Sequence, residues 1–125
     1  MPLCVIVDDH ADTREGFAEY LQVNGFDVLT AGGAEEFEQL VESQSPDAIV
    51  LDLQLPRVNG WELATRIRAN PRLREVPLVA FSACVMPSER ERANQAGFDL
   101  FLCKPCDPET ILGELRRLLR EKVAR

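Results

Sequence analysis

The sequence lacks the features of a membrane-bound or exported protein. Its apolar runs all fall short of the roughly 18 residues that a membrane-spanning helix needs. The N-terminus passes directly from Met1 into an apolar run that meets Asp8, without the basic start and cleavage site of a signal peptide. These absences predict a cytoplasmic protein that does not act at a membrane.

Basic side chains are also in deficit. The 125 residues include 14 Lys and Arg against 21 Asp and Glu, which gives a formal net charge of −7. Because nucleic acid and anionic lipid repel an acidic protein, we expect neither as a direct partner. The single histidine, His10, argues against a zinc site, and we interpret it as an ordinary exposed loop residue.

Cysteine is scarce, with four residues at positions 4, 84, 103 and 106. A chain of this length buries enough surface to fold without cross-links, and without an export signal we interpret all four as reduced thiols. Cys103 and Cys106 nevertheless have the spacing of a redox motif at a predicted strand-to-helix junction, with Cys84 near them on the adjacent strand's loop. A thiol-redox or metal-thiolate protein is therefore one alternative function.

Five short apolar segments alternate with segments of helical periodicity. The apolar segments are Leu3–Val7, Phe26–Ala31, Ala48–Leu51, Val76–Phe81 and Phe98–Leu102. Most are continuous apolar runs, which is typical of strands buried on both faces of a parallel sheet. Strand–helix–strand units cross over right-handed and place helices on both faces of the sheet. The sequence therefore predicts one α/β domain over residues 1–125 with a five-stranded, doubly wound parallel sheet.

The predicted helices carry apolar residues on one face. These residues are Phe17, Ala18 and Leu21 in the first helix, Phe37, Leu40 and Val41 in the second, Leu63, Ala64 and Ile67 in the third, and Ile111, Leu112, Leu115, Leu118 and Leu119 in the last. The fourth helix, near Pro87–Ala96, has the weakest pattern. Gly25 and Gly97 follow the first and fourth helices as stop signals.

Polar side chains stand where the predicted strands end. Asp8 and Asp9 follow the first strand, Asp52 the third, Ser82 the fourth and Lys104 the fifth. Ligands of open parallel sheets bind beyond the carboxyl ends of the strands. We therefore expect these side chains to converge on one edge of the sheet.

Three carboxylates at one edge need a compensating positive charge. Two carboxylates about 4 Å apart repel each other by roughly 4 kcal/mol at an effective dielectric constant of about 20. Because the side-chain ligands are oxygens, the sequence predicts a hard ion, Mg²⁺ first and Mn²⁺ second. With such an ion, Lys104 and the Ser82 hydroxyl would hold a phosphoryl group. Asp52, on the central strand, is the best candidate for a nucleophile that forms an aspartyl-phosphate.

On these residues the sequence resembles the receiver domain of two-component response regulators. The shared motifs, whose spacing agrees with that family, are Asp8-Asp9, Asp52, Ser82-Ala83 and Lys104-Pro105. The segment Leu51–Gly60, which includes Pro56, is similar to the family's phosphoacceptor loop, and Ala96–Asp99 also fits. The resemblance extends over essentially the whole chain.

The resemblance implies a flavodoxin-like sheet of strand order 2-1-3-4-5 and a phosphorylation switch rather than an enzyme. Asp52 would accept a phosphoryl group from a phosphohistidine on a sensor histidine kinase or a histidine phosphotransfer protein. The implied Mg²⁺ ligands are Asp8, Asp9, Asp52 and the backbone carbonyl of Gln54. The implied phosphoryl-binding groups are Ser82, Lys104 and the backbone N–H of Ala83, and the Lys104–Pro105 peptide bond would be cis.

The resemblance also implies an output. Phosphorylation would pull Ser82 inward and let Phe101 rotate, which would change the surface formed by the fourth helix, fifth strand and fifth helix. That surface would bind a downstream protein, an output domain or a second copy of the chain. Phe101 stands where the family often has tyrosine, so it has no hydroxyl to hydrogen-bond when turned inward. Gln54 and Cys84 occupy positions that tune hydrolysis of the aspartyl-phosphate in the family.

Other classes of protein share parts of this pattern. A receiver-shaped module that binds partners without being phosphorylated is the second alternative function. A flavodoxin-like flavin site is excluded because Asp8 and Asp9 would repel the flavin phosphate. A P-loop nucleotide site is excluded because the sequence has no Gly-x4-Gly-Lys-Ser/Thr motif.

Overall fold

The computed structural model describes residues 1–83 and 87–124. In these residues five strands alternate with five helices. The strands are β1 (Leu3–Val7), β2 (Asp27–Ala31), β3 (Ala48–Asp52), β4 (Leu78–Ala83) and β5 (Leu100–Lys104). The helices are α1 (Ala11–Val23), α2 (Ala34–Ser43), α3 (Gly60–Ala69), α4 (Pro87–Ala96) and α5 (Pro108–Ala124). The predicted alternation of strand and helix is confirmed.

The strands of the described residues form one parallel sheet in the order β2-β1-β3-β4-β5. In the middle of β1, Val5 lies opposite Leu29 of β2 on one side and Ile49 of β3 on the other. The chain passes from β1 to β2 on one side and then returns to β3 on the other side of β1. Such a reversal of strand order opens a crevice at the carboxyl ends of the strands. The expected doubly wound sheet and its strand order are confirmed.

Two apolar clusters cover the two faces of the sheet. Alternate residues of β1 point to alternate faces, so Val5 and Val7 belong to the cluster with α2 and α3, and Cys4 and Ile6 to the cluster with α1 and α5. The predicted apolar helix residues are buried apart from three that are partly buried, Phe17, Leu40 and Leu119. Within the described ranges, no helix is long and apolar enough to cross a bilayer.

Two predicted strand starts, Phe26 and Phe98, were wrong for the same reason. Each phenylalanine directly follows a glycine of positive φ, Gly25 (+94°) or Gly97 (+97°), at the end of a helix. The N–H groups of the glycine and the phenylalanine both donate to carbonyls of the last helical turn. The bonds run from Phe26 and Gly25 to the carbonyls of Leu21 and Gln22, and from Phe98 and Gly97 to those of Ala93 and Asn94. This is the Schellman motif, in which an apolar residue after the glycine packs against the helix end. The strands therefore begin later, at Asp27 and Leu100.

The fourth strand also begins later than predicted, at Leu78 instead of Val76. Val76 is buried, but its N–H donates to the carbonyl of Leu73 in the preceding turn. Pro77 has no N–H to give to the ladder. Val76 is therefore buried without being paired in the sheet, so its apolar character alone placed the start of the strand too early.

Candidate functional site

Three polar side chains are buried at the carboxyl edge of the sheet. Asp8 and Asp52 are 2% exposed and Ser82 is 3% exposed, and no other polar side chain in the described part of the chain is buried. Asp52 is the last residue of β3 and Ser82 the next-to-last residue of β4. Asp8 directly follows β1, where its N–H donates to the carbonyl of Ala31 at the end of β2 (3.0 Å). The ladder thus brings all three to one edge.

Lys104, the last residue of β5, reaches across this edge to two carboxylates. Its Nζ lies 3.1 Å from Asp52 Oδ2 and 3.3 Å from Asp8 Oδ2. The same ammonium lies 5.1 Å from the centre of the Phe81 ring, within the range of a cation–π contact. The Lys104–Pro105 peptide bond is cis, the form that the resemblance implied. Asp8, Asp52 and Lys104, far apart in the sequence, therefore form one cluster.

The cluster holds more negative than positive charge. Asp9 adds a third carboxylate at its rim, with a side chain that is 35% exposed. Against these three carboxylates, Lys104 supplies one full positive charge. Burial makes this imbalance costly, because carboxylates removed from water need a cation or a proton.

The oxygen atoms of the cluster are close enough to share one cation. Asp8, Asp9 and Asp52 each offer an oxygen, His10 offers a ring nitrogen, and the four atoms lie within 4.8 Å of one another. Carboxylate oxygens are the ligands that hard divalent ions prefer. The site therefore fits a divalent cation in both charge and spacing.

Burial raises the pKa of the Asp52 carboxyl, while the Gln54 N–H and the Lys104 ammonium act in the opposite direction. The Gln54 N–H donates to Asp52 Oδ1 at 2.9 Å. Asp8 adds a like charge that also raises the pKa. The protein alone therefore does not supply enough positive charge to offset the ionised Asp52 carboxylate. A bound cation would favour its ionisation.

The loop after Asp52 holds the start of α3 tightly against β3. The Gly60 N–H donates to the Leu53 carbonyl (3.1 Å), and a Cβ on Gly60 would stand 2.5 Å from Leu53 Cα and 2.6 Å from the Asp52 carbonyl oxygen. Only glycine allows this approach. The Asn59 side chain caps α3 by accepting from the Glu62 N–H at 2.9 Å. Arg57, in the same loop, has a left-handed φ of +66°.

The remaining predicted site residues lie around this cluster. Ala83 is opposite Lys104 in the ladder between β4 and β5, and Ser82 is opposite Cys103. Phe101 is partly buried and packs against the apolar cluster of the α2 and α3 face. Cys84, which the sequence placed near the phosphoryl site, lies outside the described residues. The roles proposed for Ser82, Ala83, Phe101 and the Gln54 carbonyl stay predictions.

His10 is an exposed loop residue, as the sequence predicted, and its ring also lies beside two carboxylates of the site. Its side chain is 67% exposed, but Nδ1 lies 3.3 Å from Asp8 Oδ1 and 3.2 Å from Asp9 Oδ1. The backbone N–H of His10 also donates to Asp8 Oδ1 (2.8 Å). This turn folds the imidazole back over the two preceding carboxylates. The sequence could have indicated this proximity, because His10 directly follows Asp8-Asp9 in a short loop.

The cysteines differ from their predicted state. Cys103 is disulfide-bonded, whereas Cys4 and Cys106 are free, so Cys103 and Cys106 are not bonded to each other. The prediction of reduced thiols is wrong for Cys103, because spacing along the chain reports only local neighbours. Burial and the Asp107 charge raise the pKa of the Cys106 thiol, which disfavours its reactive thiolate form.

Comparison with known proteins gives the same family from sequence and from structure. The family model described as response regulator receiver domain matches residues 4–116. The response regulator MprA of Mycolicibacterium vanbaalenii is 36% identical over 121 residues, which cover 96% of this chain and 52% of that protein. The uncharacterized 14.6 kDa protein in the sodA1 3′ region of Leptolyngbya boryana is 34% identical over 94% of this chain and 86% of its own length.

The solved structures agree with the sequence relatives. The chemotaxis response regulator CheY4 of Vibrio cholerae superposes with a TM-score of 0.89 at 26% identity, covering 94% of this chain and 98% of that one. The chain spans about half the length of several curated relatives, MprA among them. Because the family model covers nearly all of the sheet and its acidic edge, this chain belongs to the response regulator receiver domain family.

Proposed function

We propose that this chain is a phosphoacceptor switch in which Asp52 takes a phosphoryl group from a phosphohistidine donor. The observation that carries the proposal is the geometry of Asp52. Its carboxylate is buried at the crevice of the sheet, 3.1 Å from the Lys104 ammonium and beside Asp8, in a chain of the receiver family.

The transfer exchanges one bond to phosphorus for another. An Asp52 carboxylate oxygen forms a bond to the phosphorus while the bond from phosphorus to the donor imidazole breaks. The electron pair of the broken bond stays on the imidazole nitrogen. Lys104, within reach of Asp52 and Asp8, is placed to neutralise the phosphoryl oxygens that arrive at this edge.

Asp8, Asp9 and Asp52 would hold the Mg²⁺ that this family generally binds, with the Gln54 carbonyl as a further ligand. When bound, the ion supplies positive charge against the carboxylates and the incoming phosphoryl group. The excess of carboxylates over ammonium groups supports this assignment. Ser82 and the Ala83 N–H, at the end of the neighbouring strand β4, would bind the remaining phosphoryl oxygens.

A groove beside Lys104 suits the approach of a protein donor. This cavity of about 550 Å³ lies between α1 and the start of α5. Phe17, Phe81 and Pro105 give it an apolar lining, and Lys104 is among its lining residues. A partner seated there would bring its phosphohistidine to Asp52. We expect Phe17→Arg to slow transfer from a phosphorylated histidine protein but not from acetyl phosphate. Val23→Arg, at an 80% exposed position of the same helix, is the matched control.

The output would be a change of the surface formed by α4, β5 and α5. Phe101 lies in β5 and packs against the core next to α4, so a movement of β4 at Ser82 would reach it through the ladder. A downstream protein, an output domain or a second copy of the chain would read this surface.

Intact mass spectrometry after incubation with acetyl phosphate tests the acceptor. We expect a gain of one phosphoryl group that requires Mg²⁺ and disappears in Asp52→Asn. Asp27→Asn, an exposed aspartate at the start of β2, should be phosphorylated like the unchanged protein.

Each other outcome selects an alternative. A phosphoryl gain that survives in Asp52→Asn would move the acceptor elsewhere. Absence of any gain in a folded protein that binds Mg²⁺ would favour the module that acts without phosphorylation. A cycle of thiol oxidation and reduction coupled to partner binding would favour the thiol function.

A further inference from the structure

His10 presents a ring nitrogen to the place where a cation would sit. Its Nδ1 lies 3.3 Å from Asp8 Oδ1 and 3.2 Å from Asp9 Oδ1. The hydrogen bond from the His10 backbone to Asp8 fixes the start of this side chain. The imidazole therefore faces the carboxylates rather than solvent alone, although 67% of the side chain is exposed.

The spacing of these atoms matches a single coordination sphere. In an octahedral site with bonds of about 2.1 Å, neighbouring ligand atoms are about 3.0 Å apart and opposite ones about 4.2 Å apart. The two distances from His10 Nδ1 are close to the neighbouring value. The four ligand atoms of Asp8, Asp9, His10 and Asp52 lie within 4.8 Å of one another, a wider limit than the distance between opposite ligands, so small side-chain movements would close them on an ion. One ion can therefore bind the imidazole and the carboxylates together.

An imidazole changes which ion such a site prefers. Oxygen ligands alone suit Mg²⁺, whereas imidazole suits the later first-row transition ions, whose affinity for mixed nitrogen and oxygen sites rises along the series toward copper. We propose that His10 is a ligand of the cation site and makes it select a late first-row divalent ion over Mg²⁺. This inference rests on the proposed function, because it assumes that the acidic edge binds a cation.

Cobalt is a suitable probe, because His10 is the only histidine in the chain. In the Co²⁺ protein without a histidine tag, coordination through Nδ1 leaves a proton on Nε2. Proton NMR should then show strongly shifted signals from the carbon-bound protons of one imidazole, which do not exchange with water. Those signals should be absent from His10→Ala, whose fold should be unaffected because the side chain is largely exposed.

Calorimetric titration provides the second readout. We expect His10→Ala to weaken Co²⁺ binding about tenfold and to change Mg²⁺ binding less than about twofold. Asp9→Asn, which removes a carboxylate charge and keeps the imidazole, should weaken binding of both ions.

The outcomes separate this inference from the proposed function. If both ions bind the unchanged protein but the shifted imidazole signals are missing, or if His10→Ala weakens binding of both ions equally, His10 is not a selective ligand and the cation site remains. If neither ion binds the unchanged protein, both the ligand role of His10 and the proposed cation site are wrong.

Discussion

Two regions of the molecule bring charged side chains together, and they balance that charge differently. At the amino end of the sheet, the Arg68 guanidinium donates to the Asp99 carboxylate at 3.0 Å. It also donates to backbone carbonyls, those of Gly97, Leu73, Arg74 and Val76. At the carboxyl end, the single ammonium of Lys104 faces Asp8, Asp52 and the nearby Asp9.

The two regions therefore have different roles. The guanidinium of Arg68 finds its acceptors within the chain, and Asp99 also accepts from the Leu78 N–H at 2.8 Å, so that cluster joins α3, β4 and the turn after α4. The carboxyl end keeps an excess of negative charge that a bound cation or a proton would compensate. Balanced charge supports the fold, whereas unbalanced charge creates a site at the expense of stability.

The largest expected effect follows from breaking the balanced region. Arg68→Ala should lower the free energy of unfolding by about 3 kcal/mol, because it leaves several partly buried backbone carbonyls without their donor. The exposed Asp99 carboxylate contributes little to this loss. Urea denaturation measures the change. Arg66→Ala, two residues earlier in α3 with a 47% exposed side chain paired to Glu38 and Glu62, should cost less than about 1 kcal/mol. Equal losses would show that the Arg68 network is no stronger than a surface pair.

The packing beneath the acidic site gives the next effect. Gly60→Ala should lower the free energy of unfolding by about 2 kcal/mol, because its Cβ meets backbone atoms of Asp52 and Leu53 that have little room to move. It should also slow phosphorylation, since Asp52 must shift. Gly113→Ala, at an open position of α5, should instead raise stability by about 0.5–1 kcal/mol. Thermal unfolding of both variants, with a phosphorylation time course, tests the contrast.

Removing one carboxylate charge from each region should change stability with opposite signs. Asp52→Asn should raise the free energy of unfolding at pH 7 by about 1 kcal/mol, since it removes an under-compensated buried charge. Asp99→Asn should lower it by about 0.5 kcal/mol, since the partly exposed ion pair with Arg68 is lost. Urea denaturation of both variants at pH 7 gives the two signs. A loss of stability in Asp52→Asn would mean that Lys104 already compensates Asp52.

The pH dependence of Asp52→Asn sharpens this prediction. Burial raises the pKa of Asp52 in the folded state, so the folded protein binds that proton more tightly than the unfolded chain does. Binding of this proton therefore stabilises the folded protein. The stabilisation is fully present at a pH below the pKa of the unfolded chain, and it is lost as the pH rises through the pKa of the folded protein. The advantage of Asp52→Asn should therefore shrink as the pH falls toward 4, which denaturation curves between pH 4 and 7 would show.

The smallest effect concerns the backbone of the acceptor loop. Arg57→Gly should raise the free energy of unfolding by about 0.5 kcal/mol, because glycine adopts the φ of +66° without a steric cost. The greater flexibility of glycine in the unfolded chain offsets part of the gain. Arg57→Lys should leave stability unchanged, and a scanning calorimeter resolves the three proteins. Destabilisation by Arg57→Gly would indicate that the arginine side chain makes the larger contribution.

Much of the fold and part of the site could be predicted from local patterns. Continuous apolar runs identified the strands, and the position of Asp8, Asp52 and Lys104 directly after or at the end of such runs placed them at one edge. The boundaries at Phe26 and Phe98 could not be found in this way, since an apolar residue after glycine can begin a strand or close a helix. The hydrogen bonds to the preceding helix decide between the two.

The sequence by itself determined the alternation of strands and helices, the parallel sheet and the residues that would meet at its carboxyl edge. These features follow from local burial and from the handedness that every strand–helix–strand unit shares. Only the tertiary structure decided that His10 turns back over Asp8 and Asp9, that Arg68 joins three elements through Asp99, and that Cys103 is disulfide-bonded. Periodicity reports which face of an element is buried, whereas the partner of a polar side chain depends on the distances that packing sets between distant parts of the chain.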